Sequence, residues 1–303
     1  EGTAGLGDSR HEEGEASDFV SNGKGRHKPM KHWSLDDIDW GRFEPDKIDG
    51  EIVPIVKAAS MVEFNGGVYA DYLCNVFHDD PAFQEAARNW AVEEVQHGAA
   101  LRRWAEMADP SFDFDAAFRR FADTITLPMD IDRSVRGSLS GELVARCVVE
   151  IGTSSYYSAL AESTDEPVLK EICQRIAADE LRHYKLFYQH LKRYQDIEKL
   201  GVLKRLRVAL GRVAESEDDE LAFAYYAAND NGQGGPYDRD YCCQAYQQRA
   251  LRFYRPQHVE RGMAMLFKAI GLKPHGMLNR VVNRIAWWLL TRKAGRMEAA
   301  RAA

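Results

Sequence analysis

From about residue 50 onward, apolar residues recur every three or four positions, the period of helices that bury one face. Four long segments carry this pattern. The first runs from about Glu51 to Phe77, with a stripe of Ile52, Val56, Ala59, Glu63, Gly66, Ala70, Leu73 and Phe77. The second follows Asp80-Pro81, a cap with proline at the first helical position, and runs to Met107. Its stripe is Phe83, Ala87, Trp90, Glu94, His97, Leu101 and Trp104. The third, Ser134 to Glu162, carries Leu143, Cys147, Glu150, Ser154, Tyr157 and Ala161. The fourth opens at Asp165-Glu166-Pro167, reaches Tyr194 and carries Leu169, Cys173, Ile176, Glu180, His183 and Phe187. A shorter helix is expected between Ser111 and Ile125. Beyond residue 195 lie more helix-like stretches, broken at Gly232–Pro236 and at Pro256. Strand-like alternation is nowhere persuasive, so the fold class is all-α.

Each stripe places ionisable groups among apolar neighbours. Burying a carboxylate costs several kcal/mol unless it is paired or bound to a metal. Glu94-Val-Gln-His97 and Glu180-Leu-Arg-His183 are Glu-x-x-His pairs, which put a carboxylate and an imidazole side by side on one helical face. With 23 Glu and 9 His in 303 residues, chance supplies about 0.7 such pairs. Two of them, both within a stripe, carry weight. The other two long helices each offer one stripe glutamate, Glu63 and Glu150. This is the ligand set of a ferritin-like di-iron four-helix bundle. Glu63 precedes Glu94 by 31 residues and Glu150 precedes Glu180 by 30, which implies two helix pairs about a pseudo-twofold axis. Four carboxylates also balance two divalent irons when both histidines are neutral. Manganese in one position suits the same oxygen and nitrogen donors.

Acidic residues stand directly before both ligand glutamates, Glu93 and Asp179. Metal-bound histidines usually donate their second ring N–H to a carboxylate, so these two are candidates to accept that bond, reaching across to the histidine of the other pair. The alternative is a solvated helix edge. Small residues follow two ligands, Gly66 and Gly67 after Glu63, and Gly152, Thr153, Ser154 and Ser155 after Glu150. They either leave room for oxygen and substrate or allow close helix packing.

Composition narrows the picture further. Net charge is −7, from 40 basic and 47 acidic residues, which argues against a general nucleic-acid binder. The five cysteines form no CxxC pair; their odd number and the lack of a signal-like apolar start lead to the expectation of a cytoplasmic protein. The first residue is not Met, which suggests a start inside a longer product or after an added segment. No apolar run approaches the roughly 20 residues that span a bilayer. Residues 1 to about 30 read as a disordered tail. The division is then 1–49 largely disordered tail and lead-in, 50–195 di-iron bundle, and 196–303 helical C-terminal extension.

Two stretches carry a family resemblance: Trp90-Ala-Val-Glu-Glu-Val-Gln-His-Gly98 and Ile172-Cys-Gln-Arg-Ile-Ala-Ala-Asp-Glu-Leu-Arg-His183. Over about residues 50 to 195 the sequence resembles soluble acyl-carrier-protein desaturases, and the likeness fades afterwards. Glu150-Ile-Gly-Thr153 also matches, with Thr153 where that family keeps a catalytic hydroxyl beside the oxygen-binding side of its irons. The resemblance implies a homodimeric oxidoreductase holding two irons, with O2 as co-substrate and a ferredoxin-like electron donor. Its substrate would be an acyl chain on an acidic acyl carrier protein, from which it removes hydrogen at an unactivated C–H bond. Docking of such a carrier directs attention to Arg102, Arg103, Arg119 and Arg120, or to Lys199, Lys204, Arg205, Arg207 and Arg212. Leu101 stands where radical-generating reductase subunits carry a tyrosine, and ferritins lack the symmetrical second pair. Hydroxylation or N-oxygenation of another substrate, or non-enzymatic iron binding, stay open as alternatives. Met277 to Met297 reads as an amphipathic basic helix that either packs on the bundle or a dimer partner, or makes peripheral membrane contact.

Overall fold

Each long stripe dictates a helix with one face to bury, and the arrangement that satisfies all four is a bundle. The computed structural model describes residues 32–215, 219–230 and 235–302. The expected N-terminal tail lies outside the described residues, as does most of the Gly232–Pro236 break. Among the described residues there are eleven α-helices and no strand, so the all-α expectation holds. They are α1 (Val53–Phe64), α2 (Gly66–Val76), α3 (Pro81–Ala108), α4 (Phe114–Thr124), α5 (Leu139–Ser163) and α6 (Pro167–Glu198). After these come α7 (Val202–Glu215), α8 (Asp219–Asn229), α9 (Arg239–Leu251), α10 (Pro256–Ile270) and α11 (Met277–Ala302). The α1–α2 segment lies along α3, α5 pairs with α6, and α3 meets α6. Helices α7 and α10 pack on α5, α8 packs on α1, and α11 rests on α9 and α10.

The two largest departures from the periodic pattern lie in the first and third segments. The first long segment is two helices, divided at Asn65. There α3 comes so close that a Cβ on Gly98 would lie 2.4 Å from the backbone nitrogen of Phe64, and one on Gly66 would lie 2.5 Å from Cβ of Glu94. The first segment is divided beside that approach. Its stripe nevertheless stays inward on both sides of the break, from Ile52 to Phe77. Helix α5 begins five residues later than expected. Gly137, at φ +78°, turns the chain in a conformation that helices exclude, and Ser138 then caps α5 by accepting from the Gly141 N–H.

Asp80 caps α3 through the Phe83 N–H, with Pro81 at the first helical position. Glu166 caps α6 through the N–H groups of Val168 and Leu169. The buried Glu166 carboxylate also accepts from the Trp104 indole at 2.7 Å and from the Glu44 backbone at 3.1 Å. Residues 34–49 thus approach the bundle as three short 3-10 turns, at Leu35–Asp37, Trp40–Arg42 and Pro45–Lys47. An apolar cluster including Leu73, Phe77, Phe83, Trp90, Leu143, Cys147 and Phe187 joins α2, α3, α5 and α6. It abuts the polar centre of the bundle, where Trp90 meets the rings of Phe187 and His183 edge-on.

Candidate metal centre

The helical period brings every stripe glutamate and histidine inward, and the bundle makes them converge. Glu63, Glu94, His97, Glu150, Glu180 and His183 are all buried. Their donor atoms form two groups, Glu63–Glu94–His97–Glu180 and Glu94–Glu150–Glu180–His183, within each of which the atoms lie within 4.8 Å of one another. Glu94 and Glu180 belong to both groups. Each Glu-x-x-His glutamate is therefore placed to bridge two positions, while Glu63 and Glu150 stand at the two ends. His97 Nδ1 lies 3.7 Å from Glu63 and 3.3 Å from Glu180; His183 Nδ1 lies 2.9 Å from Glu94 and 3.6 Å from Glu150. The two imidazole centres are 5.7 Å apart.

The environment of these groups fits cations. Oε1 of Glu94, Glu150 and Glu180, and Nδ1 of His183, are buried and face only one another and the other groups of the cluster. Burial and then the negative charge of Glu180 push the carboxyls of Glu94 and Glu150 well above the usual carboxylate range. Burial opposes charge on His97 and His183 too, but hydrogen bonds to the surrounding carboxylates raise both well above an ordinary histidine. For Glu180 burial acts upward, yet the bonds from His183 and His97 hold its carboxyl well below the ordinary value. Without cations the cluster holds protons in their place. The donor set of two imidazoles and four carboxylates can bind metal.

The outer ring nitrogens point the other way. His97 Nε2 lies 3.0 Å from Asp179, and His183 Nε2 lies 3.1 Å from Glu93. The contacts are crosswise, each acid serving the histidine of the other Glu-x-x-His helix, so neither residue is a solvated edge. With Nε2 protonated, each Nδ1 presents its lone pair to the interior. Arg182 donates to both acids, to Asp179 by a short bond and to Glu93 at 2.9 Å. One arginine thereby holds both pairs in place. The Thr153 hydroxyl donates to Glu180 Oε2 at 2.7 Å, closer than its backbone acceptors Val149 O and Glu150 O at 3.3 Å.

Three contributors escaped the sequence reading. Arg182 sits between the two halves of its own motif, which is a usable signal. Tyr157, assigned to the core stripe, also donates its hydroxyl to Glu63 at 2.6 Å. Glu220 on α8 is held by a short bond from Tyr69, and burial together with Glu63's charge raises its carboxyl to about 7. Nothing periodic connects α8 to the bundle, so no sequence signal marks Glu220. Among the small residues, Gly66 serves close packing against Glu94, whereas Gly67 and Gly152 face outward with open space around them. None of these glycines makes room above the ligands.

Residues 74–210 match the sequence model of a family described as Fatty acid desaturase. The bundle is desaturase-like. The match includes Glu94, His97, Glu150, Thr153, Glu180 and His183, while Glu63 lies before it and α8–α11 after it. A search of curated proteins finds no match to this chain. Among the described residues no helix is long and apolar enough to cross a membrane.

Proposed function

We propose that this protein is a di-iron, oxygen-dependent oxidoreductase that removes hydrogen from an unactivated C–H bond of a lipid-like acyl chain, leaving a double bond. The observation that carries the reading is the pair of buried donor groups sharing Glu94 and Glu180, within a stretch that matches a desaturase family. Bound there, two irons supply the redox chemistry, with O2 as oxidant and a ferredoxin-like donor providing electrons. The chain's own residues set the conditions. Glu63, Glu94, Glu150 and Glu180 neutralise the added charge, and His97 and His183 complete the two donor groups. Glu93, Asp179 and Arg182 fix the imidazole tautomers. The aromatic and aliphatic cluster around Trp90 and Phe187 keeps water from the centre.

An acidic acyl carrier as the bearer of the substrate is supported by one of the two basic runs. Arg102 is tied to Glu106 and Asp115, Arg103 lies over the Trp40 ring, and Arg120 donates to Ala227 O, so three of the first run's four cations are engaged within the fold, while Arg119 is exposed. Lys199, Lys204 and Arg207 of the second run are exposed beside the exposed side chains of Ile197, Leu203 and Leu210. Carrier docking belongs there.

The test is to reduce the iron-loaded protein, add O2 and a graded series of acyl chains, and analyse products by mass spectrometry. Loss of two hydrogens is expected, and affinity should rise with chain length at about 0.8 kcal/mol per buried methylene before levelling off. A flat series, or tight binding of small charged molecules alone, would overturn the acyl-chain reading. Gain of an oxygen atom would redirect it to hydroxylation.

Thr153→Val is expected to retain both irons while uncoupling O2 consumption from product formation. The hydroxyl's bond to Glu180 is the reason, since valine keeps the shape and removes the donor. Unchanged coupling would reduce Thr153 to a helix hydroxyl of no catalytic consequence.

A further inference from the structure

Helix α11 is apolar on two sides, and only one of them is used. Its inner side rests on α9 and α10. Asn279 is buried there and accepts from Asn283, with Val282, Ala286, Trp287 and Leu290 partly covered. At 100° per residue, Met277, Leu278, Val281, Ile285, Trp288 and Leu289 fall together on the outer side, within about a third of the circumference. All six are exposed, Trp288 at 54% and Ile285 at 51%. The row is about 18 Å long, a dozen residues at 1.5 Å each. Because the inner side is already committed to the body, the helix cannot roll to hide it.

Within residues 277–296 the charges beside this row are of one sign. Arg280 and Arg284 border it on one edge, and Arg292, Lys293 and Arg296 close its C-terminal end, with the Arg292 guanidinium 5.0 Å from the Trp288 ring. Residues 277–296 hold these five cations and no Asp or Glu, which leaves 35 basic against 47 acidic residues elsewhere. A second copy laid row against row would bring the Arg280, Arg284 and Arg292 of the two copies together. An anionic lipid surface offers both things the row lacks, apolar depth for the tryptophan and aliphatic groups and negative headgroups for the arginines.

We infer that α11 is an interfacial helix that seats the protein in the plane of an anionic membrane, with Ile285 and Trp288 entering the headgroup boundary and Arg280 and Arg284 contacting lipid phosphates. The helix stands apart from the buried Glu/His cluster, and the inference does not depend on the chemistry proposed for it.

Flotation of the full chain with vesicles of about three parts phosphatidylcholine to one part phosphatidylglycerol tests it. Binding is expected to the mixed vesicles, and to fall steeply on pure phosphatidylcholine or at about 1 M salt. Arg280→Ala with Arg284→Ala should weaken binding about 30-fold, at roughly fivefold per cation. Ile285→Asp with Trp288→Asp should weaken it about a hundredfold or more. Both pairs are at exposed positions, so circular dichroism, Tm and iron content should match the parent and exclude misfolding. Wild-type flotation by the Asp variant would overturn the inference. So would a parent that ignores anionic vesicles, whether it sediments as a monomer or as a dimer that the Asp variant splits; the dimer would show that a second copy covers the row.

Discussion

Replacing Glu150 or His183 by alanine is expected to lower bound iron from about two per chain to one or fewer, with at least a hundredfold loss of affinity. Even partners that only orient a metal ligand are worth about 10- to 100-fold. Glu150 and His183 belong to the same donor group, so either change should empty that position first. Iron analysis and titration of the metal-free protein give the readout. Zinc alone after iron-replete expression, or unchanged iron in both variants, would end the di-iron reading.

The metal-free protein should also betray the cluster through pH. Glu94 and Glu150 hold protons above the ordinary carboxyl value of 4.5, and His97 and His183 above 6.5. In the unfolded chain these groups release protons earlier, so the folded metal-free form loses stability as pH rises from about 4.5 upward. Glu180 runs the opposite way, since its carboxyl is held low and its contribution is lost as pH falls. Four groups against one set the sign. Iron displaces the retained protons, so the Tm gap between loaded and metal-free protein should widen from pH 5 toward pH 8, with protons released on binding. A gap that narrows over that range would contradict the assignment.

Gly98→Ala is expected to destabilise the protein by about 1–3 kcal/mol, a loss of several degrees in Tm. The added methyl would stand 2.4 Å from the Phe64 nitrogen and 2.6 Å from its Cα, both backbone atoms at the end of α1. No rotamer change relieves such a contact; α1 must move away from α3. Glu63 is the penultimate residue of α1, and Glu94 and His97 are on α3, so one donor group should open and iron loading weaken with stability. Gly152→Ala is the control. It is a helical glycine with nothing within 4 Å of the added carbon, and it should be neutral or stabilise by up to about 1 kcal/mol. Equal behaviour of the two variants would mean that the close approach at Gly98 does not constrain the bundle.

The sequence by itself determined the four stripes and the six buried Glu and His positions upon them. Helical periodicity is a local property: residues three and four apart share a face wherever the helix lies, so Glu94–His97 and Glu180–His183 were legible without any fold. Capping was local too, as at Asp80-Pro81 and Glu166-Pro167. What a helix meets is not local. Only the tertiary structure decided that Asp179 serves His97 and Glu93 serves His183, that Arg182 holds both, and that Tyr157 bonds Glu63. Glu220 joins the charged centre's surroundings from a helix outside the bundle, which no spacing could announce. Packing also set Gly98 against the Phe64 backbone and Gly66 against Glu94, beside the division of the first long segment at Asn65. On α11 the pattern marked apolar and basic residues alike. Which apolar side is covered and which faces outward depended on where α9 and α10 lie, since burial is a relation between elements, whereas periodicity belongs to each element alone.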